Sequence, residues 1–134
     1  MKNSNRFKQA VVELNERSDF GYDDITVALV ATAETIGQDK NYIKLVLDAD
    51  AASLGVKAPD STKLPIGKVI TIIVPDSAYV QVPSIFRNDS ADTFNGVNAT
   101  FALEYGYKYE MTLISTGRWE LSSQFATVPV IEVP

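Results

Sequence analysis

YKYEMTLISTGRWELSS, residues 107–123, decides the reading of this chain. Tyr107, Tyr109, Met111 and Leu113 alternate with Lys108, Glu110, Thr112 and Ile114, the period of a strand with one buried face. After Ser115-Thr116-Gly117 the alternation resumes with Trp119 and Leu121. A two-residue loop at Thr116-Gly117 would set Ile114 against Trp119 and Leu113 beside Glu120, mixing core and solvent sides. A three-residue loop instead sets Leu113 against Trp119, Met111 against Leu121, and Thr112 against Glu120. Such loops end in a left-handed residue, where glycine is favoured, and Gly117 stands there. The hairpin is therefore expected in the three-residue register.

Outward from it, short strand patterns recur between Gly, Pro and Asn. Residues 99–103 form one before the hairpin, behind a polar loop at 88–98 that holds the Asn95-Gly96 turn signal. GKVITIIV (67–74) is apolar on both faces, as in a strand covered on both sides, and Pro75 ends it. Residues 78–82 alternate until Pro83, which limits them to an edge or an early stop. Residues 25–31 and 42–48 alternate as well, with Ile25, Val27 and Leu29 on one face of the first and Ile43, Leu45 and Leu47 on one face of the second. The polar segment 34–41 links them. Residues 48–65 read as a long surface connection with one short strand at 54–57. The last stretch, 126–134 (ATVPVIEVP), reads as an extended edge segment.

Only residues 5–17 carry a helical period: Phe7, Ala10, Val11 and Leu14 fall on one face. A helix of that length is marginal alone, so its stripe must dock on its own domain or on a neighbouring subunit. Residues 18–24 break both periods and read as a link. The expected organisation is an arm at 1–24, helix plus linker, followed by a single β domain at 25–134. The fold class expected is mainly β, a sandwich or small barrel of jelly-roll type with one short N-terminal helix.

Composition excludes several chemistries. The 134 residues include no His and no Cys, which removes Ser-His-Asp triads, Cys-His dyads and ordinary zinc sites together. A net charge of −5 with scattered Lys and Arg argues against nucleic acid. No stretch approaches the roughly 20 apolar residues of a membrane-spanning helix, and the first fifteen residues do not read as a signal peptide. The 7 glycines are isolated, so no phosphate cradle of either common spacing occurs.

Carboxylates remain. Asn88-Asp89-Ser90-Ala91-Asp92 has oxygens at suggestive spacing, yet Gly96 comes too late for a calcium loop and no closing Glu follows. A solvated loop is the plainer reading, for calcium and for an Asp89/Asp92 hydrolytic pair alike. Tyr107, Tyr109 and Trp119 belong to the core face, whereas Tyr79, Phe94 and Tyr105 are freer to act as surface anchors.

YEMTLISTGRWELSS (109–123), preceded by FNGVNATFALEYGYKYEM (94–111), resembles the closing hairpin of small phage virion β-proteins. Among these, capsid decoration (cement) proteins suit a chain of this length without shaft sequence. The resemblance implies a non-enzymatic homotrimer on the capsid surface, made in the host cytoplasm. Its partner would be the major capsid protein, with no cofactor, metal, nucleic acid or membrane involved. The alternative is a tail-associated receptor- or glycan-binding module. Candidate interface residues are Phe7, Val11, Leu14, Tyr79, Phe94, Tyr105, Val130 and Val133.

Overall fold

The computed structural model describes residues 22–47, 50 and 52–125. Among them the strands run, in chain order, β1 (Asp23–Thr26), β2 (Ala28–Leu29), β3 (Tyr42–Val46), β4 (Leu54–Lys57), β5 (Val69–Ile73), β6 (Ser84–Phe86), β7 (Thr93–Phe94), β8 (Phe101–Ala102), β9 (Tyr107–Ser115) and β10 (Arg118–Phe125). A 3-10 turn, Ser61–Lys63, lies between β4 and β5. The chain is mainly β. The helix expected at 5–17, with Phe7, Val11 and Leu14, and the segment at 126–134, with Val130 and Val133, lie outside the described residues.

Two mixed sheets form, one of six strands in the order β1-β3-β5-β9-β10-β7, the other of four in the order β2-β4-β6-β8. Up to β9 the chain changes sheet at every step, odd strands entering the first and even strands the second. This winding explains the parallel pairs. Joining two parallel strands requires a crossover of a dozen or so residues, usually a helix. Here β2 lies on the crossover from β1 to β3, and β4 on the crossover from β3 to β5. β4 and β6 are likewise parallel, whereas an all-antiparallel ladder defines the jelly roll expected from the strand count. Alternation marks strands but not the sense of their pairing, so the parallel ladders had no local signal.

One apolar core draws on both sheets. Ile43, Leu45, Ile70, Ile72, Met111, Leu113 and Trp119 come from the first, Val56 and Ile85 from the second, and all are fully buried. Ile36, Ala58, Val74 and Leu103 join them from the connections. Trp119 Nε1 and Thr93 Oγ1 are buried and find no hydrogen-bond partner among the described residues.

The side chains pair as expected, Leu113 facing Trp119, Thr112 facing Glu120 and Met111 facing Leu121, but the loop is the two residues Thr116-Gly117 rather than the expected three, because β9 runs on to Ser115. Ser115 also pairs with Arg118, so Ile114 is an extra residue on β9 and the ladder shifts there. Gly117 has φ +76°. Burying both Leu113 and Trp119 outweighs an unbroken ladder, and a bulge absorbs the mismatch. β5 is internal to its sheet between β3 and β9, but it is not covered on both faces as expected: Ile70 and Ile72 are buried in the core while Val69, on the other face, is exposed.

Four local expectations are corrected. Residues 25–31 do not form one strand: Ile25 belongs to the six-stranded sheet, Ala28–Leu29 to the other, and Leu29 is 56 % exposed. Asp23 and Asp24, read as linker, open β1, where Lys40 pairs with Asp23 at 3.3 Å. The 48–65 connection is partly core, since Gly55, Val56, Ala58 and Ser61 are buried. Residues 78–82 form no strand, whereas β6 and β7, too short to show a period, do.

Gly55 is required for a close approach. A Cβ there would stand 2.0 Å from the Ser84 carbonyl oxygen on the neighbouring strand. The Asn95-Gly96 signal is realised as a tight turn with φ +52° and +80°. Phe94 and Val97 exchange backbone hydrogen bonds of 3.0 and 2.9 Å across it, as in a type I′ hairpin.

Candidate binding surface

At the end of the molecule where β5 stops, residues 75–83 project as an extended loop without a ladder. Pro75 and Pro83 have no N–H to donate, so neither flank can propagate a sheet. The segment is fixed by side chains instead. Ser77 N–H donates to Asp76 Oδ1 (3.0 Å), Tyr79 N–H to Ser77 Oγ (3.1 Å) and Gln81 N–H to Asp50 Oδ1 (3.0 Å). The Tyr105 hydroxyl donates to the Gln81 carbonyl. These bonds hold out Tyr79, 40 % exposed, and Val80, 85 % exposed.

Tyr105 is half-buried against the core, and its phenol is pushed above the usual tyrosine range. Burial is the main cause, with the Asp50 charge and Tyr79 adding to it while Ser77 opposes. Tyr79 and Tyr105, both read as surface anchors, are thus brought to one place, one projecting and the other clamping. Phe94 is not. At 1 % exposure it belongs to the core, and its role as a surface anchor is withdrawn. Its pairing with Trp119 explains this: the polar loop around it folds back as β7 along β10 and carries the ring inward. Val80 and Ser77 were not singled out from the sequence. The bracketing prolines were the available signal, since an apolar residue between two ladder-breaking ones cannot be buried by alternation.

At the opposite, hairpin end lies a polar cleft of about 410 Å³, lined among others by Asp60, Ser61, Asp89, Asp92, Thr116 and Gly117. Its carboxylates are occupied in shaping loops. Asp60 Oδ1 accepts from Thr62 N–H (3.0 Å) and Thr62 Oγ1 (2.7 Å), and these bonds hold its carboxyl below the usual range. Asp89 Oδ1 accepts from Ala91 N–H, and Asp92 Oδ2 from Asp89 N–H. Asn98 Nδ2 donates to the Ser90 and Asp92 carbonyls, both at 2.8 Å. Gly117 N–H donates to Ser61 Oγ at 2.8 Å, tying the hairpin tip to the 3-10 turn. This is the chemistry of side chains that close turns. Among the described residues no group of three or more His, Cys, Asp or Glu side chains is placed to hold a metal ion. No helix among them is long and apolar enough to cross a membrane.

No family model, curated protein or solved structure matches the chain.

Proposed function

We propose that the protein is a phage capsid decoration protein, a β-sandwich module that binds the outer surface of an assembled shell and stabilises contacts between capsomers. The observation that carries this reading is the 75–83 loop, where four hydrogen bonds hold Tyr79 and Val80 out in advance of any partner. A contact already ordered in the free protein loses little entropy on binding, which suits repeated attachment to a fixed lattice. The likeness of residues 94–123 to phage virion hairpins supports it, as do two mixed sheets sharing one core, which a sandwich or a small barrel would have. A homotrimer engaging several copies of the major capsid protein would sum modest contacts into slow release. Binding the assembled state alone would stabilise that state by linkage.

The test is co-sedimentation with empty mature shells. Binding at micromolar concentration is expected, with Val80→Asp weakening it by about ten-fold or more. No binding of the intact protein, or full binding by the variant, rejects the proposal in this form. The Tyr79–Tyr105 pair also suits a second reading, a glycan-binding tail module. That reading expects Tyr79→Ala to abolish binding to host-surface glycans and the protein to co-purify with tails.

A further inference from the structure

Asn95 does more than turn the chain at the end of β7. In a parallel ladder a residue donates its N–H to one residue of the neighbouring strand and accepts on its carbonyl from the residue two further along. β7 starts in that way on β10: Thr93 N–H donates to the Gly117 carbonyl and Asn95 N–H to the Trp119 carbonyl, both at 2.8 Å. The next rung would join the Leu121 N–H to the Asn95 carbonyl and the Leu121 carbonyl to the N–H of Val97. The chain instead reverses at Asn95-Gly96, and the Val97 N–H goes to the Phe94 carbonyl at 2.9 Å. The Asn95 carboxamide fills the missing rung. Its Oδ1 accepts the Leu121 N–H at 2.7 Å, and its Nδ2 donates to the Leu121 carbonyl at 3.3 Å.

The same two residues form a reactive pair. In Asn-Gly the backbone nitrogen reaches the preceding side-chain carbonyl with least obstruction, because glycine carries no side chain. The Gly96 nitrogen bonds to Asn95 Cγ, the Cγ–Nδ2 bond breaks, and Nδ2 leaves as ammonia with the former Gly96 amide proton. Solvent water then opens the five-membered imide to Asp or isoaspartate. Shielding does not prevent this reaction here. Asn95 and Gly96 are both exposed, and a Cβ on Gly96 would meet nothing within 4 Å. Geometry does prevent it. Attack needs Asn95 Cγ over the Gly96 nitrogen, whereas both polar atoms on Cγ are held by Leu121 across the strand gap.

We propose that Asn95-Gly96 is a deamidation site that the fold holds shut through Leu121. The reaction runs when the Asn95 carboxamide lets go of β10. Its product is a carboxylate, which has no N–H to offer the Leu121 carbonyl, so the rung cannot be remade as it was. Each conversion leaves one added negative charge as the mark of a past opening at this sheet edge. The inference is independent of the capsid reading.

Incubation of the full chain at about pH 8, with peptide mapping by mass spectrometry, tests it. Conversion of Asn95 is expected to be at least about ten-fold slower than in a 90–100 peptide or in the chain unfolded by urea. The Leu121 amide gives a second readout, since Asn95 Oδ1 is the atom to which it donates. Its hydrogen exchange, resolved by NMR, should be slowed by the same factor as the conversion, and low urea should raise the two together. Peptide-rate conversion in the folded chain overturns the proposal. So does slow conversion beside a freely exchanging Leu121 amide, or conversion that does not follow Leu121 as urea is added.

Discussion

Tyr109 shows how a single side chain couples the core to pH. Its ring meets Phe101 edge-on at 5.9 Å, and its hydroxyl accepts the Glu104 N–H at 2.8 Å. Burial pushes its phenol above the usual range, the nearby Glu104 carboxylate and Tyr107 push the same way, and the Glu104 N–H opposes them. The folded chain therefore keeps a proton that the unfolded chain releases above about pH 10, and stability falls as pH rises beyond that point. Tyr22 and Tyr105 are shifted in the same direction. Tyr109→Phe is expected to cost about 1 kcal/mol at pH 7 through the lost acceptor, and to show a shallower loss between pH 10 and 12. Urea melts across that window measure both. Asn95 acts by geometry. It takes a left-handed conformation, φ +52°, while its amide donates to the Leu121 carbonyl and accepts the Leu121 N–H. Asn95→Ala loses both bonds and the tolerance for that conformation, a cost of about 2–3 kcal/mol in the same melts.

At the scale of elements, the four-stranded sheet depends on one missing side chain. Gly55→Ala must force β4 and β6 apart, because the obstruction is the backbone oxygen of Ser84 rather than a side chain that can turn away. A loss of about 3 kcal/mol or more is expected, or no soluble fold, read by thermal melting. The β9–β10 hairpin was legible in the sequence because two large apolar residues, Leu113 and Trp119, could be buried together in only one register. β5 was legible as a strand from its unbroken apolar run, but not as one covered on both faces: Ile70 and Ile72 enter the core, whereas Val69 on the other face is 40 % exposed. β6 and β7 were not, since two or three residues carry no period and their pairing is set by distant partners. The 78–82 alternation misled for the converse reason: Pro83 stops a ladder and Val80 meets only solvent. Of the candidate surface, Tyr79 and Tyr105 were legible as aromatics off the core face. Their clamp was not, for it depends on Asp50 and Gln81, 31 residues apart in the chain.

For the whole molecule, the order of the strands governs how it can fold. Among the described residues, β9–β10 apart, no ladder joins strands adjacent in sequence. Each of the other ladders must close a loop before any contact rewards it, so folding in the millisecond-to-second range is expected. Stopped-flow refolding followed by Trp119 fluorescence would check this. Microsecond folding would mean that the sheets assemble as independent halves. The hairpin alone, as a 107–125 peptide, should have no stable structure, because its core face finds partners only in the rest of the domain.

The alternation of strands between sheets also has a mechanical meaning. In a layered protein whose sheets are each finished before the next begins, one layer can slide over the other once the apolar contact between them loosens. Here the backbone itself is stitched back and forth across the seam from β1 to β9. A sideways load on one layer is carried into the other by covalent bonds as well as by packing. The layers can separate only if the stitching is drawn out strand by strand.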